Sequence, residues 1–202
     1  MNWRAKKGLL KEQVETVAFN PNSHRIYIGD VLAERSERTN ADAELLSVTM
    51  NDGVVKRSAI EGKDNSSEDK SNYKYVHTGD VVYNSMRMWQ GANGVSAFDG
   101  IVSPAYTVLF SKSELDIDWI GLLFKTGHMI SEFRKNSQGL TSDTWNLKYP
   151  QIATIRFSLP GLPEQTKAVR LITKLSQHIN VAEMGLNKLL LYKQGLLQQM
   201  FV

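Results

Sequence analysis

Residues 163–200 read PEQTKAVRLITKLSQHINVAEMGLNKLLLYKQGLLQQM, and this stretch decides the fold. It contains no proline after Pro163, which is well placed in the first turn of a helix, where its missing N–H costs nothing. Glu164 follows where the helix dipole favours an acid. Leu159-Pro160-Gly161-Leu162 interrupts the chain before it. The sequence therefore predicts a single helix, about 57 Å long at 1.5 Å per residue.

Apolar side chains follow this predicted helix in a seven-residue repeat, the a/d seam of a coiled coil. Two sets of positions carry it and are apolar at all but one place: Ile172, Ile179, Leu186, Lys193 and Met200, and Ala168, Leu175, Ala182, Leu189 and Leu196. A lone helix cannot bury such a seam. It either packs on a second long helix or folds back on its own domain. We favour the second helix, because no other segment of matching length is evident.

A polar residue at one seam position often fixes the register of a coiled coil, which is a plausible role for Lys193. Gly185 and Gly195 weaken the helix locally. The predicted dimer seam consists of Ile172, Leu175, Ile179, Ala182, Leu186, Leu189, Lys193 and Leu196.

The rest of the chain carries short strand and helix patterns. Strands are predicted at 44–50, 54–56, 81–83, 105–110 and 154–159, with an Asn51-Asp52-Gly53 turn between the first two. Helices are predicted at 29–35 and as a pair within 116–135. Residues 61–72 carry no apolar side chain and predict a solvated loop. We expect an α+β protein: a globular domain (1–160) with a twisted, mainly antiparallel sheet, then a long coiled-coil helix (161–202).

The composition excludes several kinds of site. The 202 residues include no Cys, which excludes disulfides, thiolate nucleophiles and Cys-bound metals. The four His, at positions 24, 77, 128 and 178, lack metal-ligand spacing. No run approaches the ~18 apolar residues of a membrane span, and the first residues do not form a signal peptide. We therefore expect a soluble, cytoplasmic protein with no membrane partner.

Net charge gives little support for nucleic-acid binding. The chain holds 24 Lys and Arg against 21 Asp and Glu, a net charge of +3. Five of these basic residues and two of the acidic ones lie from Pro163 onward, so residues 1–162 are balanced. A phosphate-binding surface must come from local clustering, or from a larger partner that also grips the duplex.

Two stretches nevertheless combine side chains suited to DNA. In Tyr83–Gln90, Arg87 can fork onto guanine or phosphate, amides can bond adenine, and Trp89 can stack. Residues 134–142 form a polar, Gly-containing loop suited to phosphate contacts. Both stretches have structural alternatives: Met86, Met88 and Trp89 can be core residues with Arg87 bonded to a carboxylate, and the loop can be an ordinary connection.

No catalytic constellation is evident. Asp52 with Glu61-Gly62-Lys63 distantly resembles the acid…E-x-K pattern of metal-dependent nucleases, but this tripeptide lies in the most polar loop of the chain. Solvated charges are the better interpretation. The phosphate cradle, the nucleophile elbow and the Asn/Asp-Pro-Pro-aromatic motif of methyltransferases are all missing. We expect no catalytic residues, no cofactor and no metal.

Several of these stretches resemble one protein family, the specificity subunits of type I restriction-modification systems. Asn84–Gly91 with Gly100–Tyr106, and Ser137-Gln138-Gly139 with Asn146-Leu147-Lys148, are similar to its target recognition domain. Leu159-Pro160-Gly161-Leu162-Pro163-Glu164-Gln165, leading to a helix that ends Lys193–Phe201, is similar to the junction of that domain with the family's conserved helix. The resemblance spans about residues 28–201.

This resemblance implies a DNA-recognition function without catalysis. Family members carry two recognition domains and two long helices, which space the domains along DNA and dock methyltransferase subunits and, through them, the nuclease subunit. This chain departs by having one of each. Residues 6–11, Lys-Lys-Gly-Leu-Leu-Lys, echo Lys193–Gln198 and fit a repeat boundary. A half-length chain can restore the arrangement as a homodimer of antiparallel helices.

The resemblance also sorts the candidate DNA contacts. These are Lys56, Arg57, Ser58, Lys63, Asn84, Arg87, Trp89, Gln90, Lys135, Gln138 and Thr141. Motifs shared by members that bind different sequences are better placed for framework or backbone contacts, which describes Arg87, Trp89 and Gln138. Base choice should then lie in 56–58 and 61–72. The alternative function is an interaction protein or decoy that engages the methyltransferase subunit through its helix and binds no DNA.

Overall fold

The structure is a computed structural model and describes residues 14–15, 24–38, 43–62, 66–67 and 69–200. The echo at residues 6–11 and the candidate Lys63 lie outside these residues. The strands are β1 (His24–Tyr27), β2 (Leu32–Glu34), β3 (Leu46–Thr49), β4 (Gly53–Lys56), β5 (Lys74–Val76), β6 (Val81–Asn84), β7 (Asn93–Val95), β8 (Gly100–Val102), β9 (Tyr106–Ser111) and β10 (Arg156–Leu159). The helices are α1 (Ile28–Val31), α2 (Ile117–Leu123), α3 (Gly127–Asn136), α4 (Tyr149–Ala153) and α5 (Leu162–Met200).

A four-stranded antiparallel sheet in the order β2-β9-β6-β7 forms the centre of the domain. Its two inner strands contribute side chains to a core on each face of the sheet. Side chains alternate between the two faces along a strand, so neighbouring residues enter different cores. Val81 and Tyr83 of β6 belong to the core on the helical side. Val82, between them, belongs to a second core on the other side.

The second core lies beneath two antiparallel strand pairs, β3–β4 and β5–β8. The β3–β4 hairpin crosses close to β7, where a Cβ on Gly94 would lie 2.7 Å from the Cα of Gly53. Only glycine fits such an approach of two backbones. Gly53 also has a positive φ of 71°, which suits the turn that begins β4.

Short helices cover the other face of the sheet and are fixed by caps. The Asp116 carboxylate accepts hydrogen bonds from the first amides of α2, and the Thr126 hydroxyl accepts one from Met129 in α3. Phe124 and Phe133 then meet edge to face, with ring centroids 5.2 Å apart, in the interior between them.

The long helix α5 starts inside the domain and then leaves it. β1 pairs with β10, which leads directly to the helix. The Gln165 side chain is buried, donates to the Pro160 carbonyl at 2.8 Å and accepts from the Asp116 amide at 3.0 Å. Ala168 and Ile172 belong to the helical-side core. Beyond them, most side chains of α5 are exposed.

The α+β class, the antiparallel pairing and the long helix are confirmed. The predicted turn between β3 and β4, the helix pair in 116–135 and the last strand also form. The helix predicted at 29–35 is wrong in its second half, because Leu32–Glu34 pairs with β9 as a strand. That pairing partner lies far along the chain, and local pattern does not reveal it. Within the described part of the chain, none of the helices combines the length and the hydropathy of a membrane-spanning segment.

Candidate nucleic-acid interface

The two stretches that the sequence singles out for DNA lie side by side. Residues 84–90 turn sharply after β6, and the Asn84 side chain accepts a hydrogen bond from the Met86 amide at 3.0 Å. Residues 137–146 form a loop after α3. The two are joined where the Leu147 amide donates to the Ser85 carbonyl at 2.8 Å. Two stretches that are far apart along the chain thus meet at this contact.

The loop at 137–146 is closed by its own hydrogen bonds. Gln138 and Asn146 exchange two backbone hydrogen bonds of 2.9 and 2.8 Å. Gly139 has a positive φ of 144°, and a Cβ there would lie 2.6 Å from the Thr144 carbonyl oxygen. The adjacent Leu140 is fully exposed, at 101% of its reference area. The loop thus presents its tip to solvent from a closed base.

Aromatic and cationic side chains connect the loop to the 84–90 turn. The rings of Trp89 and Trp145 meet edge to face, with centroids 5.2 Å apart. The Arg134 guanidinium lies 5.4 Å from the centroid of Trp145. The Trp89 indole donates to the Met86 carbonyl at 3.0 Å, which fixes its orientation. We call Trp89, Trp145 and Arg134 the aromatic cluster.

The polar candidates on these two stretches differ in exposure. Arg87, Gln138 and Thr141 are exposed, while Asn84 and Gln90 are half-buried. Lys135 is exposed and pairs with Glu132 at 2.7 Å. Met88 is buried as the core alternative supposed, but Met86 is 44% exposed and Trp89 only half-buried. The surface therefore combines cations, amides and aromatic rings, the groups that contact phosphates and bases in DNA complexes.

The candidates Lys56, Arg57 and Ser58 are engaged elsewhere. Arg57 donates to the carbonyls of Ile60 and Gly62 at 2.8 and 3.1 Å, so its guanidinium closes the turn that follows β4. Ser58 donates to Glu44 at 3.3 Å, and Lys56 lies 3.6 Å from the same carboxylate. The three residues thus form a second surface around Glu44. The Lys56 side chain remains 44% exposed.

The weak nuclease pattern finds no support in the geometry. Asp52 precedes β4 and Glu61 follows the turn after it, and Asp52 is bonded to Thr49 within the hairpin turn. Among the described residues, no group of three or more His, Asp or Glu side chains is placed to hold a metal ion.

Sequence reasoning missed Trp145 and Leu140. Neither belongs to a shared motif, and each stands alone among polar residues, so no periodic pattern marks it. An isolated Trp in a polar loop was the available signal, because so large an apolar ring in such a loop implies a tertiary neighbour.

The long helix carries a further candidate surface, which is apolar. At 100° per residue, its a and d positions and the flanking Leu171, Leu190 and Leu197 form one stripe about 120° wide. The domain covers only the beginning of this stripe: Ala168 is 6% and Ile172 is 3% exposed. The remaining seam leucines are much more exposed: Leu175 at 38%, Leu186 at 53%, Leu189 at 67% and Leu196 at 43%. We call the part from Leu175 onward the bare stripe.

The rest of the seam follows this trend. Ile179 is half-buried, and Ala182 and Lys193 are exposed. Ile172, predicted as a dimer contact, instead fills the core of its own domain. The seam available to a partner therefore starts at Leu175.

No protein-family model matches the sequence, and no curated protein matches it either. Solved structures do match the fold. The HsdS subunit from Thermoanaerobacter tengcongensis superposes with a TM-score of 0.58 at 13% identity, covering 90% of this chain and 46% of the HsdS chain. This chain has the fold of type I specificity subunits. A chain from a study of complex assembly and conformational transition of the type I restriction-modification system gives a TM-score of 0.61 at 12% identity.

This chain matches about half of each of those specificity-subunit structures. The chain spans about half the length of the structures it matches, 46% and 47%, although nine-tenths of its own residues are covered. The match therefore includes both the α+β domain and the long helix. Among the residues that the structure describes, no second helix of comparable length packs on the bare stripe.

Proposed function

We propose that this chain is a half-length DNA-specificity subunit of a type I restriction-modification system. Residues 1–160 form a single target recognition domain, and residues 161–202 form the helix for dimerisation and for docking the methyltransferase subunit. The subunit has no catalysis of its own. It directs the methyltransferase subunit and, through it, the restriction subunit to a DNA site.

The bare stripe is the observation that carries this proposal. Exposed apolar patches of this extent on a soluble domain mark an interface. Leu186 and Leu189 are more than half exposed on a helix that has already left its domain. A second copy supplies an identical helix, and a twofold axis pairs the two antiparallel stripes through one repeated patch. The dimer then holds two recognition domains, as many as a chain of twice the length.

Two domains related by a twofold axis read a bipartite palindromic site. We propose that the aromatic cluster with Arg87, Lys135 and Gln138 faces the duplex. The two guanidinium groups and the ammonium suit phosphates, and the amide suits a base edge or a phosphate. Asn84, Gln90 and Thr141 border that surface. We place base choice in Lys56, Arg57 and Ser58, which lie on a separate surface, and in residues 61–72.

Two measurements test the function. Light scattering should give twice the chain mass of 22.8 kDa. Selection from a degenerate duplex library, with the methyltransferase subunit present, should enrich a split inverted repeat. A dimer that enriches no sequence contradicts DNA recognition and leaves an interaction protein or decoy that binds the methyltransferase subunit. A monomer that enriches a single, undivided half-site contradicts the dimer alone.

A further inference from the structure

The bare stripe is complementary to itself in one particular register. We propose, on the basis of the homodimer inferred above, that Leu186 of one copy lies opposite Leu189 of the other. The twofold axis then passes between Asn187 and Lys188. Ile179 lies opposite Leu196, while Lys193 lies opposite Ala182.

Lys193 disfavours the parallel arrangement. In a parallel, in-register dimer each seam residue meets its own copy, and the two Lys193 ammonium groups would share one layer of the interface. Like charges in a partly dehydrated seam repel each other. In the antiparallel register, the two Lys193 side chains are about 16 Å apart along the axis, at 1.5 Å per residue. The single seam cation thus favours the antiparallel orientation.

Burial and the number of paired seam residues distinguish the proposed register from the two registers shifted by half a heptad. A shift of half a heptad in one direction places Lys193 opposite Leu175 and requires Ile172 to contact the second copy. Ile172 is only 3% exposed, because its own domain covers it. The opposite shift places Lys193 against Leu189 and leaves Leu175 and Ile179 unpaired. The proposed register uses the bare seam positions and none that the domain covers.

Local chemistry supports the pairing of Lys193 with Ala182. Alanine leaves space for the long lysine side chain, whose aliphatic stem packs while its ammonium group reaches the edge of the seam. The residue that follows Ala182 is Glu183, the only acid between Gln165 and Val202. The Lys193 ammonium of each copy therefore lies near Glu183 of the facing helix, and the symmetry forms this pair twice.

This register also sets the distance between the two domains. Ile172 marks the point where each helix leaves its core. The two Ile172 residues are then about 46 Å apart along the helix axis, at 1.5 Å per residue. That distance corresponds to roughly 14 base pairs of B-DNA at 3.4 Å per step. The whole bipartite site should be of this order.

Cysteine cross-linking tests the register directly, because the chain has no native Cys. Ile179→Cys with Leu196→Cys retains Lys193 and places two thiols face to face across the dimer. Within one chain these positions are about 25 Å apart, too far for a disulfide. The matched control is Ile179→Cys with Leu189→Cys, which marks the register shifted by half a heptad. Ile179→Cys alone marks a parallel dimer.

We expect the variant with Cys at 179 and 196 to form a covalent dimer. Peptide mass spectrometry should find its 179–196 linkage at least ten times more often than it finds the 179–189 linkage in the control variant. A dominant 179–189 linkage, or a covalent dimer from Ile179→Cys alone, overturns the register while leaving the dimer in place. A monomeric mass for the unmodified chain overturns the register together with the proposed dimer.

A charge exchange tests the role of Lys193. Lys193→Glu should weaken dimerisation at least tenfold, and adding Glu183→Lys should restore most of that loss at low ionic strength. If the double variant dimerises no better than the single one, Lys193 does not face Glu183, and the register is wrong.

Discussion

Gln165 and Asp116 are joined by a hydrogen bond although they lie 49 positions apart along the chain: the backbone amide of Asp116 donates to the Gln165 side-chain oxygen at 3.0 Å. The same side chain donates to the Pro160 carbonyl at 2.8 Å. One buried carboxamide therefore connects the first turn of the long helix to the start of α2 and to the strand that precedes the helix. This connection fixes the direction in which the bare stripe leaves the domain.

Gln165→Ala should destabilise the protein by about 1–3 kcal/mol, because it leaves a buried donor and a buried acceptor without partners. Urea unfolding followed by circular dichroism measures the change. Gln177→Ala, at an exposed position on the same helix, is the control and should change the free energy of unfolding by less than about 0.5 kcal/mol. Equal effects of the two variants would contradict the role assigned to Gln165.

Leu189→Glu should convert the dimer to a monomer, because it places a charge within the apolar seam. Leu191→Glu is a closely matched control. Both leucines are 67% exposed in the single chain, but Leu191 lies away from the bare stripe. Light scattering over a range of concentrations measures the mass. Identical behaviour of the two variants would show that general exposure, rather than the stripe, governs association.

Arg87→Ala combined with Lys135→Ala should weaken DNA binding by at least tenfold and reduce its dependence on salt, because each lost phosphate contact lowers the log–log slope by about 0.9. Titrations at several salt concentrations provide both values. The control pair is Arg25→Ala with Lys112→Ala, which removes the same charge from two exposed positions. Arg25 lies in β1, and Lys112 directly follows β9. Methyltransferase-subunit binding should survive in both. An unchanged slope in the first pair would remove this surface from the DNA interface.

Gly139→Ala should distort the loop that carries Gln138 and Thr141. The φ of 144° is strained for alanine, and the new Cβ would lie 2.6 Å from the Thr144 carbonyl oxygen. We expect a loss of about 1–3 kcal/mol in stability and weaker DNA binding. Gly79→Ala shares the positive φ, at 91°, but its Cβ would meet nothing within 4 Å. Gly79→Ala should therefore reduce stability less and leave DNA affinity unchanged. If Gly139→Ala binds DNA with full affinity, the loop is not part of the DNA interface.

Much of the secondary structure follows from local pattern. The heptad repeat predicts α5 almost to the residue, and the Asn51-Asp52-Gly53 turn predicts the β3–β4 hairpin. The strand at 32–34 does not follow from it, since Leu32–Glu34 is a strand only because β9 lies beside it. The short strands β5, β7 and β8 are also missed, because three residues carry too little periodicity to be recognised.

The sequence by itself determined the helix, its seam and the two stretches rich in groups that suit DNA, because periodicity and side-chain chemistry are properties of neighbouring residues. Tertiary structure decided which of these features meet. Only the folded chain places Trp145 against Trp89, uses Arg57 to close a turn, and buries Ile172 while leaving Leu189 open. The contact between the two Trp rings and the burial of Ile172 depend on partners many residues away, which packing in three dimensions selects. Arg57 bonds to nearby carbonyls, but only the folded turn brings them within its reach.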